Sequence, residues 1–507
     1  MRQFDRGRKN FWAAPRSRES FQYIVGALKK VNVGTAGEAK RMADECHARY
    51  VWVISSIAAL GGLLFGYDWV VIGGAKPFFE AYFGLTTASQ IGWANSCALV
   101  GCLAGSLVAG AASDRFGRKK LLLVSALIFA ISSILTGWSY AFGWFIVWRI
   151  TGGVAIGMAS NVSPVYIAEI SPAAWRGRLV AMNQLTIVIG ILAAQIANWA
   201  IARPVAAGAT EEMVRQSWNG QFGWRWMFAA VAVPAAVFFL SALAVPESPR
   251  WLVANRAPQK AKEVLRRIGG NLYATAALHE IQSSLQQESQ AAGWAELLEP
   301  RVRKLVLLGM SLAVLQQWSG INVIFNYAEE VYRSAGYGVS GLLFNIVITG
   351  TINLLFTVVA LGLVDRFGRR GLMLFGCAGI AGSHALLGMA YQFGAHGWIV
   401  LLLTLCAIAL YAMSLAPVTW VLISEIFPNR IRGMAVSISV SALWIASFAL
   451  TFTFPALNGA LGTGGTFWVY AAICLGGYVL IRLRVPETKG KSLEELETML
   501  GRHTIPG

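Results

Sequence analysis

The sequence predicts an all-α membrane protein whose twelve transmembrane helices form two pseudosymmetric bundles of six. Three observations support this fold class. Of the 507 residues, 56% are hydrophobic and only 13% are charged, about half the charged fraction of an average soluble domain. Apolar runs of about 20 residues, the length that crosses a bilayer as a helix, recur through most of the chain. Several motifs occur twice, once in each half of the sequence.

The same features exclude other classes of protein. A chain with twelve spans has no room for a large water-soluble enzyme domain, and continuous apolar runs do not fit the alternating strands of an outer-membrane barrel. The formal net charge of +17 fits cytoplasmic loops and anionic lipid better than nucleic acid. Most of the six cysteines lie inside apolar runs, without the paired spacing or accompanying histidines that would make a metal site. No phosphate-binding glycine loop occurs. We therefore predict no metal, no cofactor and no ATP-driven step.

The chain is predicted to begin with a basic cytoplasmic arm, residues 1–48, which lacks the apolar core of a signal peptide. A disordered extension, sequence upstream of a true start at Met42, and a lipid-binding arm are all open interpretations. The first six spans lie in residues 49–245 and the second six in 304–485. We predict spans at 51–73, 89–111, 120–140, 143–166, 179–203, 225–245, 304–328, 340–364, 371–391, 397–423, 432–456 and 464–484.

The connections between spans alternate between basic ones and ones that are nearly free of Lys and Arg. Because basic loops stay in the cytoplasm, both termini are predicted to be cytoplasmic. The long connection at 246–303 carries six basic residues in its first part and is predicted to be a cytoplasmic linker with short helices. Residues 486–507 are predicted to form a cytoplasmic tail.

Repeated motifs relate the two halves. Asp114-Arg-Phe-Gly-Arg-Lys119 recurs as Asp365-Arg-Phe-Gly-Arg-Arg370. The acidic motif around Glu169 recurs around Glu425, and Pro246-Glu-Ser recurs as Pro486-Glu-Thr. A duplicated six-helix unit is the pattern of a secondary transporter whose halves rock about a site at the membrane midplane.

The charges of these repeats are predicted to form two conformational latches. Loop Asp and Arg side chains can pair with charges at neighbouring helix ends, and such pairs bias which side is open. Basic loop residues that only set the orientation of the helices in the membrane would explain one copy of this motif, but not two matched copies. The candidate latch residues are Asp114, Arg115, Arg118, Glu169 and Arg176 in the first half, and Asp365, Arg366, Arg369, Glu425 and Arg432 in the second.

Asp68 and Arg149 are charges inside apolar spans, which makes them candidates for function. A carboxylate that pairs with an arginine in one conformation can bind a proton in another. Such a pair links protonation to the change between the two open conformations of a transporter. A fixed structural ion pair, or an Asp68 solvated at the outer rim, is the open alternative.

A cluster of amides suggests a binding site for a neutral polyhydroxylated ligand, because each amide both donates and accepts hydrogen bonds. Gln316, Gln317 and Asn322 lie in one apolar segment, interrupted by Gly320, where the helix is expected to bend. Further candidates in other spans are Gln184, Gln195, Asn353, Trp420 and Trp444, although such residues also serve as interhelical contacts or interface anchors.

His384, Glu329 and Glu330 are interpreted as structural residues. No nucleophile, base and orienting group occur together, so the chain is not predicted to be an enzyme.

Together these residues resemble the sugar porter family of the major facilitator superfamily, which includes bacterial proton–sugar symporters and animal facilitative glucose transporters. The resemblance covers about residues 50–500. Its motifs are both Asp-Arg-Phe-Gly-Arg loops, Arg149-Ile-Thr-Gly-Gly, Pro246-Glu-Ser-Pro-Arg-Trp-Leu252, Gln316-Gln317 to Asn322, and Pro486-Glu-Thr-Lys-Gly490.

This resemblance implies alternating-access import of a monosaccharide with protons, coupled through Asp68 and Arg149. A facilitative uniporter and, less favoured, a non-transporting sugar receptor are the alternatives. Leu443 and Asn326 depart from the family pattern, so the sugar is open between a pentose and a hexose. We expect a multi-pass monomer in a bacterial-type inner membrane. The implied sugar contacts are Phe65, Gln184, Gln316, Gln317, Asn322, Asn353, Trp420 and Trp444.

Overall fold

The computed structural model describes residues 47–205, 209–288, 296–297, 299–395, 397–427 and 431–489. Within these ranges the regular secondary structure is helical, with no strand. Nearly all of the predicted basic arm and most of the predicted tail lie outside the described residues.

The first half contains five long helices and a broken sixth. The helices are α1 (Ala48–Phe83), α2 (Ala88–Phe116), α3 (Arg118–Gly137), α4 (Phe142–Ile170), α5 (Arg176–Ile201), α6 (Glu211–Gln216), α7 (Trp224–Ala229), α8 (Ala232–Ala244), α9 (Pro249–Ala254) and α10 (Pro258–Glu288). Short helices follow α5, and the connection between the halves contains α9 and the 31-residue α10, which leaves helical geometry at Gly269 and Gly270. A π-helical turn, Asn219–Gly223, leads into α7.

The second half has more breaks within its helices. Its elements are α11 (Pro300–Trp318), α12 (Ile321–Asn326), α13 (Ala328–Ser334), α14 (Val339–Phe367), α15 (Arg369–Gln392), α16 (Trp398–Met413), α17 (Leu415–Glu425) and α18 (Arg432–Arg484).

Eleven segments of the described chain are long and apolar enough to cross a membrane. The last of them, α18, has 53 residues and leaves helical geometry at Gly462, where φ is 69°. Each limb on either side of Gly462 exceeds the ~20 residues that a crossing requires. The multi-pass helical fold is as predicted, while the number of twelve spans is not established by these eleven segments.

The two halves repeat the same pattern of helix packing. In the first half α1 packs on α5, α2 on α4, and α3 on both α4 and α8. In the second half α11 packs on α18, α14 on α16, and α15 on both α16 and α18. Small residues allow the close approaches: a Cβ at Gly101 or Gly153 would overlap a backbone carbonyl of the opposing helix in the α2–α4 pair.

The repeated loops after α2 and α14 lie at one end of the bundle, which we call the motif side; the other end is the far side. Several contacts between the halves lie toward the far side. Trp93 packs on Phe448 and Trp199 on Phe344, with ring centroids 6.0 and 6.2 Å apart. The backbone of α1 also approaches α12 closely, because a Cβ at Gly73 would meet the carbonyl of Phe325. The far side is therefore closed in this structure.

Helix α1 is longer than predicted. The predicted span ended at residue 73, whereas the helix continues through Pro77 to Phe83. Lys76, three residues past the predicted end, is buried among carboxylates. Charge compensation allows the helix to remain in the packed interior.

Candidate functional site

A small cavity of about 20 Å³, enough for about one water molecule, lies where the first half meets the second. Most of its lining comes from α1, α2 and α4, and one residue of the second half, Asn326, closes it from α12. Its polar lining residues are Asp68, Asn95, Arg149 and Asn326. A cavity with charged and amide groups at a junction of halves has the composition of a site for a small polar ligand.

Asp68 and Arg149 form an ion pair beside this cavity. The Arg149 Nη1 donates to Asp68 Oδ1 at 2.6 Å, and each residue is only 5% exposed. The guanidinium also stacks over the ring of Phe228, 5.3 Å from its centroid. The two residues are 81 positions apart, so their pairing depends on the packing of α1 against α4. The pair thus balances one positive and one negative charge inside the packed first half.

Three aromatic rings extend the site toward the second half. The ring centroids of Phe65 and Trp69 are each close to that of Trp444, at 5.7 and 6.3 Å. Phe65 and Trp69 line the cavity, and Trp444 is buried with no hydrogen-bond partner at its indole nitrogen. Flat apolar faces of this type can cover one face of a sugar ring.

The predicted amides form a hydrogen-bonded chain in the second half. Asn322 donates to Gln317 at 2.5 Å, Gln317 donates to Gln316 at 3.1 Å, and Gln316 donates to the carbonyl of Ala416 at 3.3 Å. All three amide side chains are buried. This amide chain holds several hydrogen-bond donors and acceptors in fixed positions at one place. None of the three amide side chains lines the cavity in this structure.

A helix break positions these amides, as the sequence predicted. Gly320 has φ of 85° between α11 and α12, a conformation that glycine adopts without steric cost. At the break, the carbonyl oxygen of Ser319 accepts hydrogen bonds from side chains of other helices. His384 Nε2 lies 2.8 Å from this oxygen and Cys474 Sγ lies 3.6 Å from it. Since a carbonyl only accepts, Nε2 carries the proton. His384 is thus structural, as interpreted, and it acts at the break itself.

The other predicted sugar contacts are more dispersed. Asn353 is buried and Gln184 is half-buried, while Trp420 is 38% exposed. The cavity lining does not include these three side chains. Asn95 and Asn326, which do line it, were not among the predicted contacts. Asn326 had been noted only as a departure from the family pattern.

On the motif side, the first latch is centred on Arg118. Its guanidinium pairs with Glu169 at 3.1 Å and with Asp114 at 3.0 Å. Ser248, the N-cap residue of α9, donates to the same Glu169 carboxylate at 2.5 Å. Glu247 accepts the backbone N–H of Arg118 at 2.9 Å. These contacts join α2, α3 and α4 to the start of the linker within the first half.

The second latch has the same arrangement. Arg369 pairs with Glu425 at 3.5 Å, and Thr488 donates to Glu425 at 2.6 Å. Glu487 accepts the backbone N–H of Arg369 at 2.9 Å. Burial raises the pKa of the Glu487 carboxyl, but backbone N–H groups from Lys489 and the first residues of α15 outweigh it, so this pKa lies below its usual range.

The remaining latch candidates have other contacts. Arg115 stacks over Phe116 and Arg176 donates to the carbonyl of Ala168. The carbonyl of Arg366 accepts from Lys489, and Arg432 donates to the carbonyl of Phe427. The side chain of Asp365 lies outside the described part of the structure.

Glu247 and Glu487 belong to these two motif-side clusters, although the sequence-based prediction did not include them. Each caps the start of a helix, α3 or α15, whose first backbone N–H groups need acceptors. The repeat of Pro-Glu-Ser as Pro-Glu-Thr contained the signal, but it was read only as a trace of duplication.

Comparison with known proteins identifies the family. The family model described as "Sugar (and other) transporter" matches residues 54–500. The chain belongs to this family. The resemblance inferred from the motifs is thereby confirmed.

Similar curated proteins include two bacterial symporters. The D-xylose-proton symporter of Escherichia coli K12 is 38% identical over 489 residues, covering 90% of this chain and 97% of the relative. The arabinose-proton symporter of Bacillus subtilis 168 is also 38% identical, covering 89% of this chain and 95% of the relative.

Solved structures of the same fold agree with these relatives. The inward-open xylose transporter from E. coli superposes with a TM-score of 0.77 at 38% identity, covering 89% of this chain and all of that one. A proton:xylose symporter of the major facilitator superfamily bound to 6-bromo-6-deoxy-D-glucose gives 0.74 at 38% identity, covering 89% of this chain and 99% of that one. The predicted two-bundle membrane fold is confirmed by this likeness.

Proposed function

We propose that this protein imports a monosaccharide, a pentose or a hexose, across the cell membrane by proton symport. The buried Asp68–Arg149 pair beside the interdomain cavity supports this function. The names of the relatives, a D-xylose-proton and an arabinose-proton symporter, support the same substrate class. We propose that the protein is a transporter and not an enzyme, and that it works as a monomer without nucleic acid.

The transport cycle follows from the position of this pair. With the far side open, Asp68 takes up a proton from outside and is released from Arg149. Sugar binds between the halves, mainly to the second half, and rocking closes the far side. Opening of the motif side releases sugar and proton, and Arg149 pairs with the carboxylate again. By the positive-inside rule the motif side and both termini face the cytoplasm.

Sugar recognition is assigned to the amide chain and the aromatic rings. Gln316, Gln317 and Asn322 supply paired donors and acceptors for hydroxyl groups, and Phe65 and Trp444 cover the ring. Asn326 adds an amide directly beside Asp68. Gln184, Asn353 and Trp420 are retained as contacts that form in another conformation.

The two motif-side clusters serve as latches in this cycle. Each now includes the glutamate of the repeated Pro-Glu-Ser or Pro-Glu-Thr segment. In the closed-far-side state their ion pairs lie within each half. We propose residues 49–245 and 304–485 as the moving units, with 246–303 as the linker between them.

Transport by purified protein in proteoliposomes tests the proposal. Wild type and Asp68→Asn are compared with labelled xylose, arabinose, glucose and galactose, under an inward proton gradient and in gradient-free exchange. We expect wild type to accumulate at least one sugar and Asp68→Asn to exchange that sugar without accumulating it. The substitution removes the titratable group and keeps nearly the same volume.

Two outcomes would contradict the proposal. Equilibration of sugar by wild type, whatever the gradient, would identify a facilitative uniporter in which the Asp68–Arg149 pair is structural. Accumulation by Asp68→Asn at the wild-type level would place the proton site elsewhere. Thr351→Val provides a matched control, because this exposed hydroxyl bonds only its own helix at Val347.

A further inference from the structure

A lysine is buried among carboxylates on the far side of the molecule. Lys76, on α1, is 2% exposed. Its Nζ lies 2.6 Å from Glu330, 2.9 Å from Glu80 and 3.3 Å from Glu329. Arg333 pairs with the other oxygen of Glu329 at 2.6 Å. Neither the proton site nor the latches use this cluster, which we call the far-side cluster.

The far-side cluster crosses from one half to the other. Lys76 and Glu80 belong to α1 in the first half, whereas Glu329 and Glu330 open α13 in the second. The ring of Tyr327 lies 5.7 Å from the ammonium group. The close approach of Gly73 to the Phe325 carbonyl lies one turn away. The ion pairs therefore form at the place where α1 meets the broken helix of the second half.

The energetics of such a cluster favour a role in switching over a role in fold stability. Desolvation offsets much of the attraction in a buried ion pair, so the pair adds little net stability. Two of the three carboxylates that hold Lys76 belong to the other half, and these contacts exist only while the halves touch. When the far side opens, water replaces the two carboxylates of the other half as partners of Lys76. Stronger ion pairs therefore shift the equilibrium between the closed and the open far side toward the closed state.

We propose that Lys76 is a positioning residue that locks the far side in its closed state and thereby sets the balance between the two open states of the transporter. The lock acts through Glu329 and Glu330, whereas Glu80, one turn away on the same helix, pairs with Lys76 within α1. The inference rests on the proposed alternating-access function, and it assigns a role to two glutamates that sequence reasoning interpreted as structural.

Distances across the far side test this proposal directly. Spin labels are placed at Thr86 and Ser334, which are exposed on the far side in the first and second halves, in a background with the native cysteines replaced. Pulsed electron paramagnetic resonance then gives the populations of short and long distances in nanodiscs without sugar. For Lys76→Met we expect the ratio of long to short distances to rise about fivefold or more.

Three further variants separate a lock from other effects. Lys76→Glu combined with Glu330→Lys exchanges the charges across the interface and should restore the wild-type ratio. Lys76→Met combined with Glu329→Gln and Glu330→Gln removes the ion pairs between the halves and leaves Glu80 as the single carboxylate that contacted Lys76, so no two of these carboxylates repel each other. This variant should shift the ratio as Lys76→Met does. Arg215→Gln, a control, breaks an exposed pair with Glu212 inside α6 on the far side and should change nothing.

Several results would overturn the lock. An unchanged ratio in Lys76→Met would show that the cluster does not bias opening. A wild-type ratio in the neutralised triple variant would assign the Lys76→Met effect to repulsion between carboxylates. If the charge exchange fails to restore the ratio although the protein folds, as judged by its elution volume and thermal melting, the pairing is not the cause. These readouts need no sugar, so they decide the lock even if the transport assay rejects symport.

Discussion

At the scale of single residues, one ion pair and one amide define the cavity: Asp68 with Arg149 in the first half, and Asn326 in the second. Asp68 and Arg149 were identified individually, because charges are rare in apolar spans. Their 2.6 Å contact and their place beside the cavity required the packing of α1 on α4. The sequence did not identify Asn326 as a site residue and noted it only as a departure from the family pattern. The fold shows that its amide lines the same cavity as Asp68.

Asn326 leads to a prediction about sugar size. Asn326→Tyr puts a larger side chain into the cavity, where a hexose needs more room than a pentose. We expect the dissociation constant for glucose to rise relative to that for xylose by about 10-fold or more, the usual effect of one misfitted carbon group. Competition binding to the purified protein measures both constants.

Asn326→Ala is the matched control, since it removes the amide without adding bulk. It should raise the dissociation constants for glucose and xylose by similar factors. If Asn326→Tyr also raised both constants equally, residue 326 would not limit the size of the sugar.

At the scale of elements, breaks in helices carry the polar groups of the second half. The sequence predicted a bend at Gly320, because glycine follows an amide-rich run. It did not predict that the freed Ser319 carbonyl is held by His384 from α15, since no local pattern links residues 65 positions apart. The same limit applies to α1, whose continuation through Lys76 depends on carboxylates of the other half.

His384→Phe tests the importance of the break. The ring volume is kept, but the Ser319 carbonyl loses its main donor, which costs about 1–3 kcal/mol for a buried group. We expect a lower melting temperature together with weaker sugar binding, because Gln317 and Asn322 flank the break.

Cys474→Ala removes only a weak thiol donor to the same carbonyl and should have a smaller effect on both measurements. Sugar binding at the wild-type level in His384→Phe would show that the amide chain does not depend on this hydrogen bond.

At the scale of the whole molecule, the repeated motifs correctly indicated two related bundles. The packing pairs of the first half recur in the second, because duplicated sequences keep the same apolar faces. The conformational state could not be predicted, since both open states of such a molecule use one sequence. Which side is closed is a property of contacts between the halves, such as those of Trp93 and Trp199.

Gly73→Leu is predicted to hold the far side open. A side chain at this position overlaps the Phe325 carbonyl only when the halves meet. In the spin-label assay we expect a shift toward long distances, and transport in proteoliposomes should fall accordingly.

Gly110→Leu is the control, because a Cβ there has open space. It should leave distances and transport unchanged. Short distances in Gly73→Leu would indicate that the backbone of α1 adjusts to the larger side chain.

The continuity of α1 has one more consequence. Asp68 and Lys76 lie eight residues apart on a single uninterrupted helix, so the proton site and the far-side cluster share one rigid body. Thermodynamic linkage is reciprocal: the factor by which closure of the far side changes the proton affinity equals the factor by which protonation changes the closure equilibrium. An antibody fragment that recognises only the closed far-side surface should therefore alter the apparent proton affinity of the transporter from the outside, without touching the membrane interior.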